Sequence, residues 1–271
     1  MQSGVPEPIV TLFSYHQLMI QENEPAMDAA VSVQMKRTLA NPCCGCEENA
    51  CPIRQALGDA GLTGCPGAVS RITTRAGEKL DGSDFAPDTV FRVVNGMLMQ
   101  EHVSDDGRRH VAAFKTSGDL SWPLPSRAAG DFREFYEAVD PTELCIISTD
   151  PISQCAPDAD RLLKTLYQAA RTEVSRAQEQ MFLLARSSAA ERLAGFLLDL
   201  AKRTGHATKR GVELKLSMRR ERIADHLGMQ PETISRIMSQ LKKAGIIRLP
   251  RPSLVIIPDL KALSKTAFGA P

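Results

Sequence analysis

The segment RERIADHLGMQPETISRIMSQLKKAG, residues 220–245, predicts two short helices that pack against each other across a tight turn. Gly228 lies between them, where the turn needs a residue without Cβ strain. Ala224 is small at the point where the helices cross. The apolar contacts between the helices are expected from Ile223, Leu227, Met229, Ile234 and Ile237. This pattern is typical of a helix-turn-helix.

The second helix of this pair has clear ends. Pro231 suits the first helical position, and Glu232 suits the positive N-terminal end. Basic side chains suit the C-terminal end, where Lys242 and Lys243 stand, and Gly245 follows as a cap. The length of this helix is therefore specified by the local sequence.

The exposed face of the second helix carries polar side chains. The apolar stripe formed by Ile234, Ile237, Met238 and Leu241 leaves Glu232, Ser235 and Arg236 together on the opposite face. Arg236 can donate two bonds to guanine, Glu232 can accept from cytosine N4, and Ser235 can take either role. The helix therefore predicts readout of double-stranded DNA. The alternative is an ordinary helical pair with a charged surface.

Two further features favour a nucleic-acid partner. Residues 246–249 and 254–257 flank Pro250-Arg251-Pro252, the pattern of a wing hairpin. The stretch from Arg186 to Arg251 holds 15 Lys or Arg and 6 Asp or Glu, a net charge of +9. Because the whole chain carries +1, the rest carries −8. Such a basic block is an electrostatic footprint for polyanions.

A long helix is predicted ahead of this domain. Its apolar positions repeat with a mean period of 3.5 residues, uninterrupted by Gly or Pro: Leu163, Leu166, Ala170, Val174, Ala177, Met181 and Leu184. This period is typical of a two-stranded coiled coil and favours a homodimer, although a helix packed on its own domain has a similar pattern. Ser188-Ala189-Ala190-Glu191 has the capping-box form and begins another helix.

Residues 69–150 show short β-rich runs separated by turn pairs. Asn95-Gly96 and Asp105-Asp106-Gly107 supply the positive φ angles of tight hairpin turns, which predicts an antiparallel meander or roll. The expected fold is α+β, in four parts: an N-terminal appendage (1–65), a β-roll sensor (66–155), a dimerisation helix (156–186) and a winged helix-turn-helix (187–271).

The seven cysteines are unevenly placed. Cys43, Cys44, Cys46, Cys51 and Cys65 fall within 23 residues, whereas Cys145 and Cys155 lie much later. The sequence has no apolar run long enough to span a membrane and no secretion-signal pattern at its start, so a cytoplasmic location is expected. In that reducing compartment a dense cysteine cluster indicates a metal or redox site. The sequence shows no nucleophile–base pair or phosphate loop, and an enzyme is not expected.

The string Glu232-Thr233-Ile234-Ser235-Arg236 resembles the recognition helix of the FNR branch of the CRP/FNR regulators. Residues 190–194 resemble the start of that family's DNA domain, and the spacing from Gly77 to Gly96 resembles its first β-roll strands. The resemblance implies a cyclic-nucleotide-binding-like β-roll, a dimer that recruits RNA polymerase, and a palindromic target with half-sites resembling TTGAT and ATCAA. The resemblance also implies that Thr233 takes part in DNA binding, together with Glu232, Ser235 and Arg236.

Oxygen-sensing members of that family hold a 4Fe-4S cluster on three N-terminal cysteines and one in the β-roll. The resemblance therefore implies Cys43, Cys46, Cys51 and Cys145 as ligands, with Cys65 as an alternate because Cys51-Pro52-Ile53-Arg54 resembles the string around the middle ligand. The gap between Cys46 and Cys51 is four residues, which is shorter than the corresponding gap in members of the family.

Four thiolates suit an iron–sulfur cluster and equally suit zinc. A thiol-redox switch also remains open, as does a heme or nitric-oxide sensor using His16, His102, His110 or a cysteine. The rival from another class is an electron-transfer protein. A cyclic-nucleotide sensor is disfavoured, because in Gly118-Asp119-Leu120-Ser121-Trp122-Pro123 no acidic residue follows Asp119 where that reading expects one, and Pro123 and Pro125 would distort a phosphate-cradling turn. The predicted function is a DNA-binding regulator gated by an oxygen- or redox-sensitive cluster.

Overall fold

A computed structural model describes residues 51–56, 68–124, 132–155, 159–186 and 188–269. It confirms an α+β fold, in which an antiparallel β domain is followed by a long helix and a helix-turn-helix domain. Three of the predicted cysteine ligands, Cys43, Cys46 and the alternate Cys65, lie outside the described residues.

The β domain is a roll of two facing antiparallel sheets. Its strands are β1 (Val69–Thr74), β2 (Lys79–Asp81), β3 (Thr89–Asn95), β4 (Met97–Ser104), β5 (Arg109–Thr116), β6 (Leu120–Ser121), β7 (Phe132–Ala138) and β8 (Thr142–Ser148). One sheet has the order β1-β8-β3-β6 and the other β2-β7-β4-β5. Leu144 and Ile146 of β8 point between the sheets, where Phe91 and Tyr136 meet edge to face at 4.9 Å. Their neighbours Cys145 and Ile147 therefore point out of the roll.

The turn at Asn95-Gly96 corrects one prediction. Gly96 does have a positive φ of 91°, but β3 and β4 belong to different sheets, so this is a corner between sheets and not a hairpin. The corner is tight, because a Cβ at Gly96 would lie 2.5 Å from the carbonyl oxygen of Pro141. The other pair, ending in Gly107 with φ 83°, does form the predicted hairpin, between β4 and β5.

The helices are α1 (Thr149–Cys155), α2 (Ala159–Arg186), α3 (Ala189–Thr204), α4 (Arg220–Leu227), α5 (Pro231–Lys243) and α6 (Leu260–Phe268). The predicted capping box is confirmed, since the side chain of Ser188 accepts from the Glu191 amide and Glu191 accepts from the Ser188 amide. Helix α6, which the sequence analysis did not predict, packs on α3.

The last domain contains a small sheet of strands β9 (His206–Thr208), β10 (Gly211–Lys215), β11 (Arg248–Arg251) and β12 (Leu254–Ile257), in the order β11-β12-β10-β9. Strands β11 and β12 form the predicted wing, but β11 begins two residues later than expected and includes Pro250. Proline is tolerated there because β11 is an edge strand.

The long helix α2 exposes an apolar stripe that differs from the predicted one at two positions, Leu166 and Leu184. Leu166 packs against the roll, and Tyr167 is instead 61% exposed. Leu184 is half-buried beside Gly228 of the helix-turn-helix. The outward stripe is Leu163, Tyr167, Ala170, Val174, Ala177 and Met181, spaced four, three, four, three and four. Leu163, Val174 and Met181 are more than half exposed.

Candidate nucleic-acid interface

Helices α4 and α5 form the predicted helix-turn-helix. Gly228 ends α4 in the left-handed conformation (φ 60°, ψ 48°), and its amide donates to the carbonyl oxygens of Ala224 and Asp225. The Met229 amide also donates to the Ala224 carbonyl, at 3.0 Å. These bonds are those of a helix that ends in a left-handed residue. The chain therefore reverses within a few residues and enters α5 at Pro231.

Helix α5 presents the predicted residues to solvent. Ile234, Ile237, Met238 and Leu241 are at most 5% exposed, and Glu232, Ser235 and Arg236 are exposed on the opposite side. Thr233 is half-buried. Because Glu232 lies in the first turn and Lys242 and Lys243 in the last, the charges complement the helix dipole. The reading face, defined as Glu232, Ser235 and Arg236, is free to approach a base edge.

Part of this surface was not predicted from the sequence. One cleft is lined by Glu232 and Ser235 of α5, by Arg219 and Arg220 at the start of α4, and by Ser253 in the turn of the wing. Arg220 donates to the Pro252 carbonyl at 3.5 Å, and its partial burial lowers the pKa of its guanidinium from the usual value. The adjacent basic pair Arg219-Arg220 was visible in the sequence, but only the fold brings it to the wing.

The helix-turn-helix domain is docked on the roll. Met97, Met99, Val111 and Phe114 of the roll belong to the same buried cluster as Phe196, Ile223 and Leu227. Phe114 meets Phe196 edge to face, with ring centroids 5.8 Å apart. The two domains thus share apolar core, which fixes their relative placement more firmly than a few surface contacts would.

Two of the candidate ligand cysteines are described, and they lie in one buried cluster. Cys51 is 3% exposed and Cys145 is 2% exposed, and Ile147, Ile152 and Leu162 belong to the same cluster. Cys51 precedes a helical turn at residues 52–56, and Cys145 lies on the outer face of β8. Cys145 is a free thiol. Among the described residues, no group of three or more His, Cys, Asp or Glu could hold a metal ion.

The cysteine cluster also contains charge at its edge. In the strand register Arg71 of β1 and Arg92 of β3 both stand directly opposite Cys145, so the three share one face of the sheet. Arg92 is only 5% exposed, and Arg71 forms an ion pair with Glu143 at 2.7 Å.

The histidines considered as heme ligands have other surroundings. His102 contacts the buried carboxylate of Glu134 at 3.3 Å and stacks on Phe132, with ring centroids 4.3 Å apart. Burial, together with the charge of His102, lowers the pKa of His110. His16 lies outside the described residues.

The architecture described above is similar to that of known DNA-binding proteins. Residues 191–266 match the Crp-like helix-turn-helix domain. The nitrogen fixation regulation protein FixK of Azorhizobium caulinodans is 36% identical over 186 residues, which cover 68% of this chain and 73% of that protein. The chain belongs to the CRP/FNR family of transcription regulators. A second FixK, of Rhizobium meliloti, is 31% identical over 71% of this chain and 83% of its own length.

Solved structures of CRP/FNR proteins share the fold. FixK2 from Bradyrhizobium japonicum superposes with a TM-score of 0.62 at 27% identity, covering 75% of this chain and 99% of that chain. A mutant of CooA from Carboxydothermus hydrogenoformans superposes with a TM-score of 0.60 at 20% identity. This similarity shows a shared fold only. The predicted membership of the CRP/FNR family and the predicted fold are confirmed.

As a CRP/FNR regulator the chain binds DNA and regulates transcription, and its helix-turn-helix domain is the DNA-binding unit. Helices long and apolar enough to cross a membrane are absent from the part of the chain that the structure describes.

Proposed function

We propose that this protein is a homodimeric transcription regulator whose DNA binding is gated by an oxygen- or redox-sensitive iron–sulfur cluster. The observation that carries the proposal is the burial of Cys51 and Cys145 in one cluster with Leu162 of the long helix α2. Two thiols from distant parts of the sequence thereby converge beside the helix proposed to form the dimer.

The cysteines present fit a cluster with thiolate ligands. Four soft ligands from more than one side suit an iron–sulfur cube, and Cys51 and Cys145 approach from a helical turn and a strand. The proposed ligands are Cys43, Cys46, Cys51 and Cys145, with Cys65 as the alternate. When bound, the cluster would supply a redox-labile cross-link between the N-terminal segment and the roll. The buried cation Arg92 opposite Cys145 favours the negative charge of coordinated thiolates.

The dimer is supported by the outward stripe of α2. A monomeric protein seldom exposes a row of large apolar side chains along one helix, and Leu163, Tyr167, Val174 and Met181 are each at least 58% exposed. Their four–three spacing is the pattern by which two parallel helices interlock.

The proposed coupling between the cysteines and the dimer runs through α2. Leu162 lies in the cysteine cluster, and Leu166 and Ala169 pack against it. Leu163 and Tyr167 lie on the same helical turns, about 100° round the helix from Leu162 and Leu166. A change in how Cys51 and Cys145 are held therefore acts on turns of α2 that also carry the proposed dimer contacts, and one helix arrangement can be favoured over another.

Two reading faces related by the dimer axis would contact a palindromic site, with half-sites resembling TTGAT and ATCAA. Recruitment of RNA polymerase and a cytoplasmic location complete the proposal.

The decisive experiment is metal analysis of the full-length protein purified without oxygen. We expect iron and acid-labile sulfide, a visible absorption band, and loss of both colour and most affinity for a palindromic site on exposure to air. Cys145→Ala and Cys51→Ala should lower the iron content of the protein, whereas Cys155→Ala, the matched control, should not.

Zinc in place of iron would favour the alternative zinc-dependent regulator, and a protein without metal whose DNA binding follows its thiol oxidation state would favour a thiol switch. Normal iron content in Cys145→Ala would exclude the proposed ligand set. None of these results would alter the assignment of the DNA-binding domain.

A further inference from the structure

A buried carboxylate connects the roll, the long helix and the DNA-binding domain. Asp119 lies between β5 and β6 and is 8% exposed. Within the roll its Oδ2 accepts from the backbone amide of Thr116 at 2.7 Å and from the Thr116 hydroxyl at 3.2 Å. These bonds hold the carboxylate in one orientation.

Two arginines from outside the roll approach this carboxylate from two different elements. Arg176 of α2 donates from Nη1 to Oδ1 at 2.8 Å. Arg203 of α3, inside the helix-turn-helix domain, donates from Nη2 to Oδ2. The same Nη2 donates to the Phe114 carbonyl at 2.8 Å and to the Thr116 hydroxyl at 3.0 Å. Asp119 is thus a junction at which the roll, the long helix and the DNA-binding domain meet.

The strength of this junction follows from burial. Burial by itself raises the pKa of Asp119. The Arg203 charge, the bond from the Thr116 amide and Arg176 together lower the pKa by more than burial raises it, so it lies below the usual value. Burial lowers the pKa of Arg203, but Asp119 and Asp199 raise this pKa by more, so it lies above the usual value. Removing one partner of such a buried pair leaves the other charge desolvated, which is far more costly than losing an ion pair at the surface.

The docking contacts leave the reading face uncovered. Besides Asp119–Arg203, the fully buried Glu101 of β4 accepts from Arg222 of α4 at 2.8 Å. Arg222 lies on the side of the domain that meets the roll, whereas Ser235 and Arg236 are exposed. Docking therefore determines the direction in which the reading face points and does not hide it.

We propose that Asp119 is the positioning residue that sets the orientation of the DNA-binding domain against the dimer helix, and thereby the spacing of the two reading faces on DNA. The part of this inference that concerns spacing rests on the proposed homodimer. In such a dimer both half-sites are engaged together only if the spacing of the reading faces matches that of the DNA. A single half-site makes no such demand.

The test compares two DNA ligands and two matched variants of the full-length protein. Asp119→Asn keeps an oxygen that can accept from the Thr116 amide but removes the charge that holds Arg176 and Arg203. Asp140→Asn makes the same chemical change at an exposed pair, Asp140–Lys215 at 3.1 Å, which also links the roll to the DNA-binding domain. Affinity is measured for a palindrome and for a duplex containing one half-site.

Linking two binding sites raises affinity by roughly 10²- to 10⁴-fold. For Asp119→Asn we expect part of this gain to be lost, so that affinity for the palindrome falls by about tenfold or more. Affinity for the single half-site should be nearly unchanged. Asp140→Asn should behave as wild type. Arg203→Gln should reproduce the effect if Asp119→Asn proves too unstable to purify. Equal losses on both DNA ligands, no loss on either, or the same loss in Asp140→Asn would overturn the inference.

A second measurement does not depend on dimerisation. Spin labels attached through unnatural amino acids at the exposed positions Asp105 of the roll and Lys261 of α6 report the distance between the domains. Asp119→Asn should broaden or shift that distance distribution, and an unchanged distribution would contradict the positioning role. If wild-type protein is monomeric or shows no preference for the palindrome, the homodimer proposal fails while this measurement still decides the role of Asp119.

Discussion

The Nδ1 atom of His226 lies 3.0 Å from the carbonyl oxygen of Val111, so the first helix of the helix-turn-helix is hydrogen-bonded to the backbone of a roll strand. The imidazole is 9% exposed and packs between Phe114 and Phe196, with ring centroids 5.3 and 5.6 Å away. Burial lowers the pKa of His226 from 6.5 to about 4, although the bond to Val111 opposes this shift. The docked domain therefore contains a neutral histidine.

This pKa predicts that acid weakens the fold. Between pH 6.5 and about 4 the unfolded chain binds a proton at His226 that the folded protein excludes, so the free energy of unfolding should fall by up to about 3 kcal/mol across that window. Urea unfolding at a series of pH values measures this slope. His226→Gln should flatten it, and His206→Gln at an exposed position should not. An equal slope in wild type and His226→Gln would mean that other groups cause the acid sensitivity.

The outward stripe of α2 predicts which substitutions give monomers. Val174→Glu or Tyr167→Glu should produce monomers in sedimentation experiments and weaken binding to a palindrome, because a charge in a coiled-coil seam is costly. Gln178→Glu, at an exposed position beside the stripe, is the control. Leu166→Glu should instead destabilise the roll, since Leu166 packs on the cysteine cluster. A dimeric Val174→Glu protein would exclude this seam.

Arg236 predicts a change in sequence preference. Arg236→Ala should weaken binding to the cognate site by about 1 to 3 kcal/mol and relax the preference at one guanine, because the side chain is exposed for bidentate contact. Lys243→Ala should weaken binding to all sequences alike. Selection of binding sites from a random pool distinguishes these outcomes, and an intact profile for Arg236→Ala would refute its assignment as a base reader.

Two glycines with similar backbone angles predict different costs. Gly107→Ala should lose roughly 1 to 2 kcal/mol of stability, since φ is 83° and nothing lies within 4 Å of the added Cβ. Gly96→Ala should cost clearly more, because its Cβ would also meet Pro141 and Thr142 backbone atoms at 2.5 and 2.7 Å. Thermal unfolding of the two variants measures the difference. Equal losses would indicate that the corner between the sheets can relax.

Features that depend on neighbouring residues in the sequence were predictable. The ends of α5, the left-handed Gly228 and the Ser188 capping box follow from local geometry, and all three are confirmed. The reading face also follows from helical periodicity.

Features that depend on distant packing were not predictable. Periodicity alone could not separate Leu166 from Tyr167, because the choice depends on which side of α2 meets the roll. An Asn-Gly pair specifies positive φ but not whether the next strand joins the same sheet. The contacts of Asp119 and His226 with the other domain have no local signal, since each partner lies far away in the sequence.

The capping box at Ser188 also limits how the DNA-binding domain can move. Fusing α2 and α3 into one rod would return Ser188 to helical backbone angles, from its present φ −62° and ψ 161°, and would break both reciprocal bonds with Glu191. Losing such a cap costs roughly 0.5 to 2 kcal/mol. The break between α2 and α3 is therefore stabilised by the residues that form it, and joining the two helices into one rod would cost that free energy.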